Sequence, residues 1–145
     1  MTEQDQRQLV LQEAISWCGT PFHENSFVKG VGVDCGRFLC ACFAAGGIKV
    51  PDPKDISIFP VQWHLHKNDE RYLHLITQFT KITNNPLPGD IIMFRIGRGF
   101  AHSGILLETS NLMIHSAPPC VSKANINQLP RLRKHERLFL TPWGI

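Results

Sequence analysis

A cysteine at a helix start, followed at a distance by two histidines on strands, is the arrangement in this chain best suited to chemistry. Cys35 comes directly after Asp34 and opens the run Cys35-Gly36-Arg37-Phe38-Leu39, and His102 and His115 lie in apolar segments much further on. A thiol is a nucleophile only as thiolate, and the partial positive charge of a helix N-terminus lowers its pKa. An imidazole can then hold the ion pair and later protonate a leaving group, while another polar residue orients the ring. These residue types point to a thiol hydrolase, with Cys35 expected to titrate below the roughly 8.5 of a free thiol and to be alkylated first. A free cysteine is equally at home as core filling, and the local context of Cys35 leaves both readings open.

The elements that would position these groups can be read from periodicity. Gln8 to Trp17 has a loosely helical spacing of Leu9, Val10, Ala14 and Trp17, stopped by Gly19-Thr20-Pro21. From Cys35 onward, apolar residues at 35, 38, 39, 42 and 43 form the stripe of a helix packed on a core, with Asp34 as its N-cap and Gly46-Gly47 as its stop. Val61 to Phe79 reads as a further helix. After the turn from Asn84 to Pro88, strands are expected at Ile91–Phe94, His102–Glu108, Leu112–Ser116 and Leu138–Thr141. Helices first and mostly antiparallel strands after them make an α+β layout, and with no repeat or linker residues 1–145 read as a single domain.

Register decides whether the two histidines can meet. A two-residue loop at Thr109-Ser110 would oppose Glu108 to Asn111 and place both imidazoles on one face of the sheet. An unbulged three-residue loop would separate them.

Composition excludes several classes. A 145-residue chain with 43% hydrophobic and 19% charged residues is a globular domain large enough for a core. A net charge of +3 is far from a nucleic-acid signature, and the cluster Arg131, Arg133, Lys134 and Arg137 reads as a solvated face. No apolar run approaches the roughly 18 residues of a membrane span. The amino end lacks the layout of a signal peptide, so synthesis in a reducing cytoplasm is expected, and the five cysteines are expected to be free thiols. Cys40-x-Cys42 with His64-x-His66 could suggest zinc, but i, i+2 spacing on a helix points side chains apart, so no metal is expected. His23, His64, His66, His74 and His135 read as surface or rim residues.

Asp34-Cys35-Gly36, Leu87-Pro88-Gly89-Asp90, Ala101-His102-Ser103-Gly104-Ile105 and Ile114-His115-Ser116 together resemble the NlpC/P60 family of cell-wall cysteine peptidases. Gly19-Thr20-Pro21-Phe22-His23, the loop from Lys29 to Cys35 and Phe94-Arg95 are similar to its bacteriophage and prophage branch. The resemblance implies a papain-like fold that hydrolyses amide bonds of peptidoglycan stem peptides, between D-γ-glutamate and a diamino acid, without a cofactor. It implies Cys35 as nucleophile, His102 as general base and acid, and His115 as the orienting residue. It also implies substrate contacts at Asp34, Phe22, His23 and Ser103, with Asp34 as an anchor for a free amino group. Where family members often carry a tyrosine this chain has Phe22, so that hydroxyl is lost or its function passes to His23; Arg37 replaces the family's serine. The branch resemblance implies incorporation into a phage tail, with tail proteins as partners and action at the cell wall. The alternative is a structural tail-tip or assembly protein of the same shape.

Overall fold

The computed structural model describes residues 1–52, 71–96, 99–108, 111–130, 132 and 134–144. The first ten residues of the helix expected from Val61, the pair His64 and His66, the loop around Gly97 and Arg98, and Arg131 and Arg133 therefore lie outside the described residues.

Helix α1 (Glu3–Ser16) begins five residues before its expected start because Thr2 and Asp5 form a reciprocal capping box. Its inner face buries Val10, Ala14 and, less expectedly, Arg7. Arg7 donates to Asp90 Oδ1 and to the carbonyl of Pro88, both at 3.0 Å, and its guanidinium lies 4.1 Å from the ring centre of Trp143. The charge is thus matched by a buried carboxylate, which is what a buried arginine requires. This contact fixes the Pro88-Gly89-Asp90 turn, where Gly89 takes a φ of +97° that a side chain would strain.

A short hairpin, β1 (Phe27–Val28) and β2 (Gly32–Val33), leads into α2 (Cys35–Ala45). Asp34 caps α2 by accepting from Arg37 N at 2.9 Å. Beyond it, α3 (Arg71–Thr77) precedes β3 (Lys81–Ile82), β4 (Ile91–Ile96), β5 (Gly99–Leu106), β6 (Leu112–Ala117), β7 (Cys120–Asn125) and β8 (Arg137–Thr141). The six strands from β3 onward form one antiparallel sheet in the order β3-β8-β4-β5-β6-β7. This is the α+β arrangement the sequence implied. The short strands β1, β2 and β3, and all of β7, were not expected. Cys120 to Asn125 mixes polar and small residues, and its pairing with β6 supplies what its own pattern lacks.

The sheet is apolar on both faces. Ile91, Met93, Ile105, Ile114 and Leu140 pack with Phe38, Leu39 and Phe43 of α2, while Ile92, Phe94, Leu106 and Met113 pack with Ile126 and Leu132. That explains the unbroken run Ile91-Ile92-Met93-Phe94, which has no exposed face to alternate with.

Candidate active site

Cys35 occupies the first turn of α2 and is only 4% exposed. The hydroxyls of Tyr72 on α3 and Ser103 on β5, and the backbone N–H of Ser103, lie near enough to its sulfur to favour its charged form. Tyr72 Oη and Ser103 Oγ are themselves 2.5 Å apart. The N–H of Ser103 is available because of where the sheet stops. β5 and β6 are paired at Ile105–Ile114 and Leu106–Met113, and the pairing does not continue to Ser103.

Those two pairs are the register that a two-residue loop imposes, although residues 109 and 110 lie outside the described residues. The imidazoles accordingly share a face, and His102 Nε2 lies 2.8 Å from His115 Nδ1. His102 also stacks on Phe94, with ring centres 6.2 Å apart. Gly104 is what allows the strands this close. A Cβ there would come within 2.9 Å of Met113 Sδ, 3.1 Å of Ile114 O and 3.2 Å of His115 Cβ.

The thiol and the imidazoles reach the site from different sides of the sheet. Ala101 is an extra residue where the register shifts between Phe94–His102 and Arg95–Phe100. This bulge lets Phe100, Ser103 and Ile105 all join the helix-side layer or the thiol bound to it, and turns His102 the other way. Ser116 bonds the carbonyl of Val33 on the helix side, so its neighbour His115 also faces away from α2. The groups that act on the Cys35 thiol include Tyr72, Ser103 and the nearby Asp34 charge.

Electrostatics correct the expectation of an ionised thiol. Burial, with the Asp34 carboxylate adding to it, pushes Cys35 up to about 12 against the pull of the Tyr72 and Ser103 groups. In this arrangement the thiol is neutral. Burial also lowers His115 to about 4, so that ring is neutral at neutral pH. Iodoacetamide at neutral pH is therefore expected to label the exposed Cys18 first and the half-buried Cys120 next. Cys35 should trail both. Peptide mapping by mass spectrometry reads the order, and early labelling of Cys35 would mean that the thiol ionises in a more open arrangement.

A model of the NlpC/P60 family matches residues 16–133, most of the chain. The chain belongs to the NlpC/P60 family. Solved structures with the same fold include a Staphylococcus aureus protein described as similar to a lipoprotein of the NLP/P60 family. It aligns with a TM-score of 0.66 at 17% identity over 93% of this chain and 40% of that one. RipD from Mycobacterium tuberculosis, described as a non-catalytic NlpC/p60 domain protein adapted to peptidoglycan binding, gives 0.61 at 15% identity over 94% and 96%. The NlpC/p60 domain of the peptidoglycan hydrolase SagA gives 0.57 at 14% identity over 91% and 96%. No curated protein matches the chain.

Within this NlpC/P60 domain, the expected substrate contacts fare differently. Asp34 does not present an open carboxylate. It is 2% exposed, and Oδ2 accepts from Asn25 N at 3.0 Å and from the Arg37 guanidinium at 2.5 Å, while Oδ1 holds the cap. In this structure Asp34 is a helix cap and the counter-ion of a buried arginine, with both carboxylate oxygens engaged. Phe22 is half-buried, its N–H donating to the Pro119 carbonyl, and His23 is exposed with Nδ1 at the Glu24 carbonyl. Neither supplies the thiol with a donor. Ser103 does lie near the thiol, and Tyr72 was missed. Its place on an apolar stripe gave no sign of a hydroxyl function; that it is the chain's single tyrosine was the available signal.

Proposed function

We propose that this domain is a cysteine peptidase that hydrolyses an amide bond in peptidoglycan stem peptides, with Cys35 as nucleophile, His102 as general base and acid, and His115 as the orienting residue. The observation that carries this reading is the 2.8 Å contact between His102 Nε2 and His115 Nδ1, in a chain whose helix α2 opens with a capped cysteine. With His115 neutral and accepting at Nδ1, His102 keeps its proton on Nε2 and exchanges protons with the nucleophile through its own Nδ1. Substrate binding brings thiol and imidazole together. The proton passes from Sγ to Nδ1, the sulfur attacks the carbonyl carbon, and His102 protonates the departing amine. Water then hydrolyses the thioester, with His102 as base.

The bond is the one between D-γ-glutamate and the diamino acid, as the sequence resemblance implies. A role in a phage tail, with tail proteins as partners and the wall as place of action, rests on the resemblance of Gly19-Thr20-Pro21-Phe22-His23, of the loop from Lys29 to Cys35 and of Phe94-Arg95. A second reading is a peptidoglycan-binding domain with little turnover. It is favoured by the neutral, buried thiol.

The test is mass spectrometry of defined stem peptides incubated with wild type and with Cys35→Ala, alongside a peptidoglycan pull-down. Cleavage by wild type alone is expected. If both proteins bind peptidoglycan and neither cuts any stem peptide, the domain is a binder.

A further inference from the structure

The thiol-hydroxyl cluster has a chemistry of its own. Tyr72 is 5% exposed and Ser103 fully buried, and they come from separate elements, α3 and β5. The two hydroxyls are bonded to each other, and both lie near enough to the sulfur of Cys35 to favour its charged form. A buried tyrosine whose only task is to fill space does better as phenylalanine, because the hydroxyl must be desolvated. Here the hydroxyl is aimed at the one atom of the site that must acquire negative charge.

We infer that Tyr72 and Ser103 form a two-hydroxyl cradle that holds the sulfur of Cys35 as it becomes thiolate, which makes Tyr72 a catalytic residue of this domain. In the cradle the two hydroxyls share one hydrogen bond, and the hydroxyl that accepts in it keeps its own proton to donate onward to Sγ. The Ser103 N–H supplies a fixed second donor, left unclaimed by β6 because the ladder stops at Ile105. Burial keeps the phenol protonated, so it remains a donor throughout the working pH range. Hydrogen bonds to a neutral thiol are weak and those to a thiolate are strong, so the cradle acts mainly when charge develops. The inference rests on the reading of Cys35 as the nucleophile.

The experiment measures alkylation of Cys35 itself, by peptide mass spectrometry, from pH 7 to 11 in wild type, Tyr72→Phe and Ser103→Ala. Tyr72→Phe keeps the ring and its packing, and circular dichroism checks the fold. Loss of one donor to a charged acceptor is expected to slow alkylation roughly 10-fold or more across this range, all of which lies below the thiol's titration. Ser103→Ala should act in the same direction, and the double variant should cost less than the two effects combined, since one hydroxyl works through the other. An unchanged profile in folded Tyr72→Phe overturns the inference. So does faster alkylation, which would make the tyrosine a shield. Assaying stem-peptide cleavage in the same preparations separates the two readings. A shifted alkylation profile without cleavage by wild type keeps the cradle and removes the peptidase.

Discussion

His102→Ala is expected to lower stem-peptide turnover by about a thousandfold or more, while His115→Asn keeps a measurable fraction. In the proposed mechanism His102 takes the proton from a thiol that burial holds neutral and later gives it to the amine, and no other described residue is assigned either step. His115 only fixes the ring and accepts from Nε2, and an asparagine amide oxygen can do part of that. The difference should appear in kcat rather than KM. Because His102 stacks on Phe94, circular dichroism of each variant comes first. A His102→Ala protein that folds and still cleaves would remove the proposed mechanism.

Arg37→Ala is expected to be the most damaging single change to stability, at about 3–5 kcal/mol. Arg37 and Asp34 are 1% and 2% exposed and bonded at 2.5 Å, so removing the cation strands a buried carboxylate at the helix start. For a domain of this size the loss corresponds to a fall in melting temperature of roughly 10 °C or more. Replacing both partners, as Asp34→Asn with Arg37→Met, should restore much of it, since asparagine still caps and no charge is left behind. Thermal denaturation of the single and double variants reads both effects. If the double variant is no better than Arg37→Ala, the damage comes from lost packing and not from the stranded charge.

Most of what positions the site was legible in the sequence. The cap at Asp34, the stripe through Phe43, the stop at Gly46-Gly47 and the four main strands follow from local periodicity and turn chemistry. The shared face of His102 and His115 was one of two outcomes that hairpin register allowed, and the observed pairing is the one that joins them. What was not legible depended on contacts across the chain. Tyr72 lies 37 positions after Cys35, and no local pattern reports that its hydroxyl lies near the sulfur. The state of the thiol was misjudged for a related reason. A helix N-terminus can be read from sequence, whereas burial is a property of the assembled fold, and here burial outweighs it. Arg37 looked like a departure from a family pattern and is the counter-ion that turns a specificity candidate into a structural pair.

Among the contributions to this site, the halted ladder between β5 and β6 is the one least dependent on side chains. The Ser103 N–H is left without a partner on β6 because the ladder stops, and no side chain has to supply that donor. Substitutions of the side chains around it can therefore change the other contacts of the thiol without removing this one. Only a shift of the strands themselves would claim it, and Gly104, where a Cβ would meet Met113 and Ile114, sets how closely those strands can lie. Backbone donor and side-chain chemistry are thus under separate control in this domain, so its side chains are free to diverge while the donor stays in place.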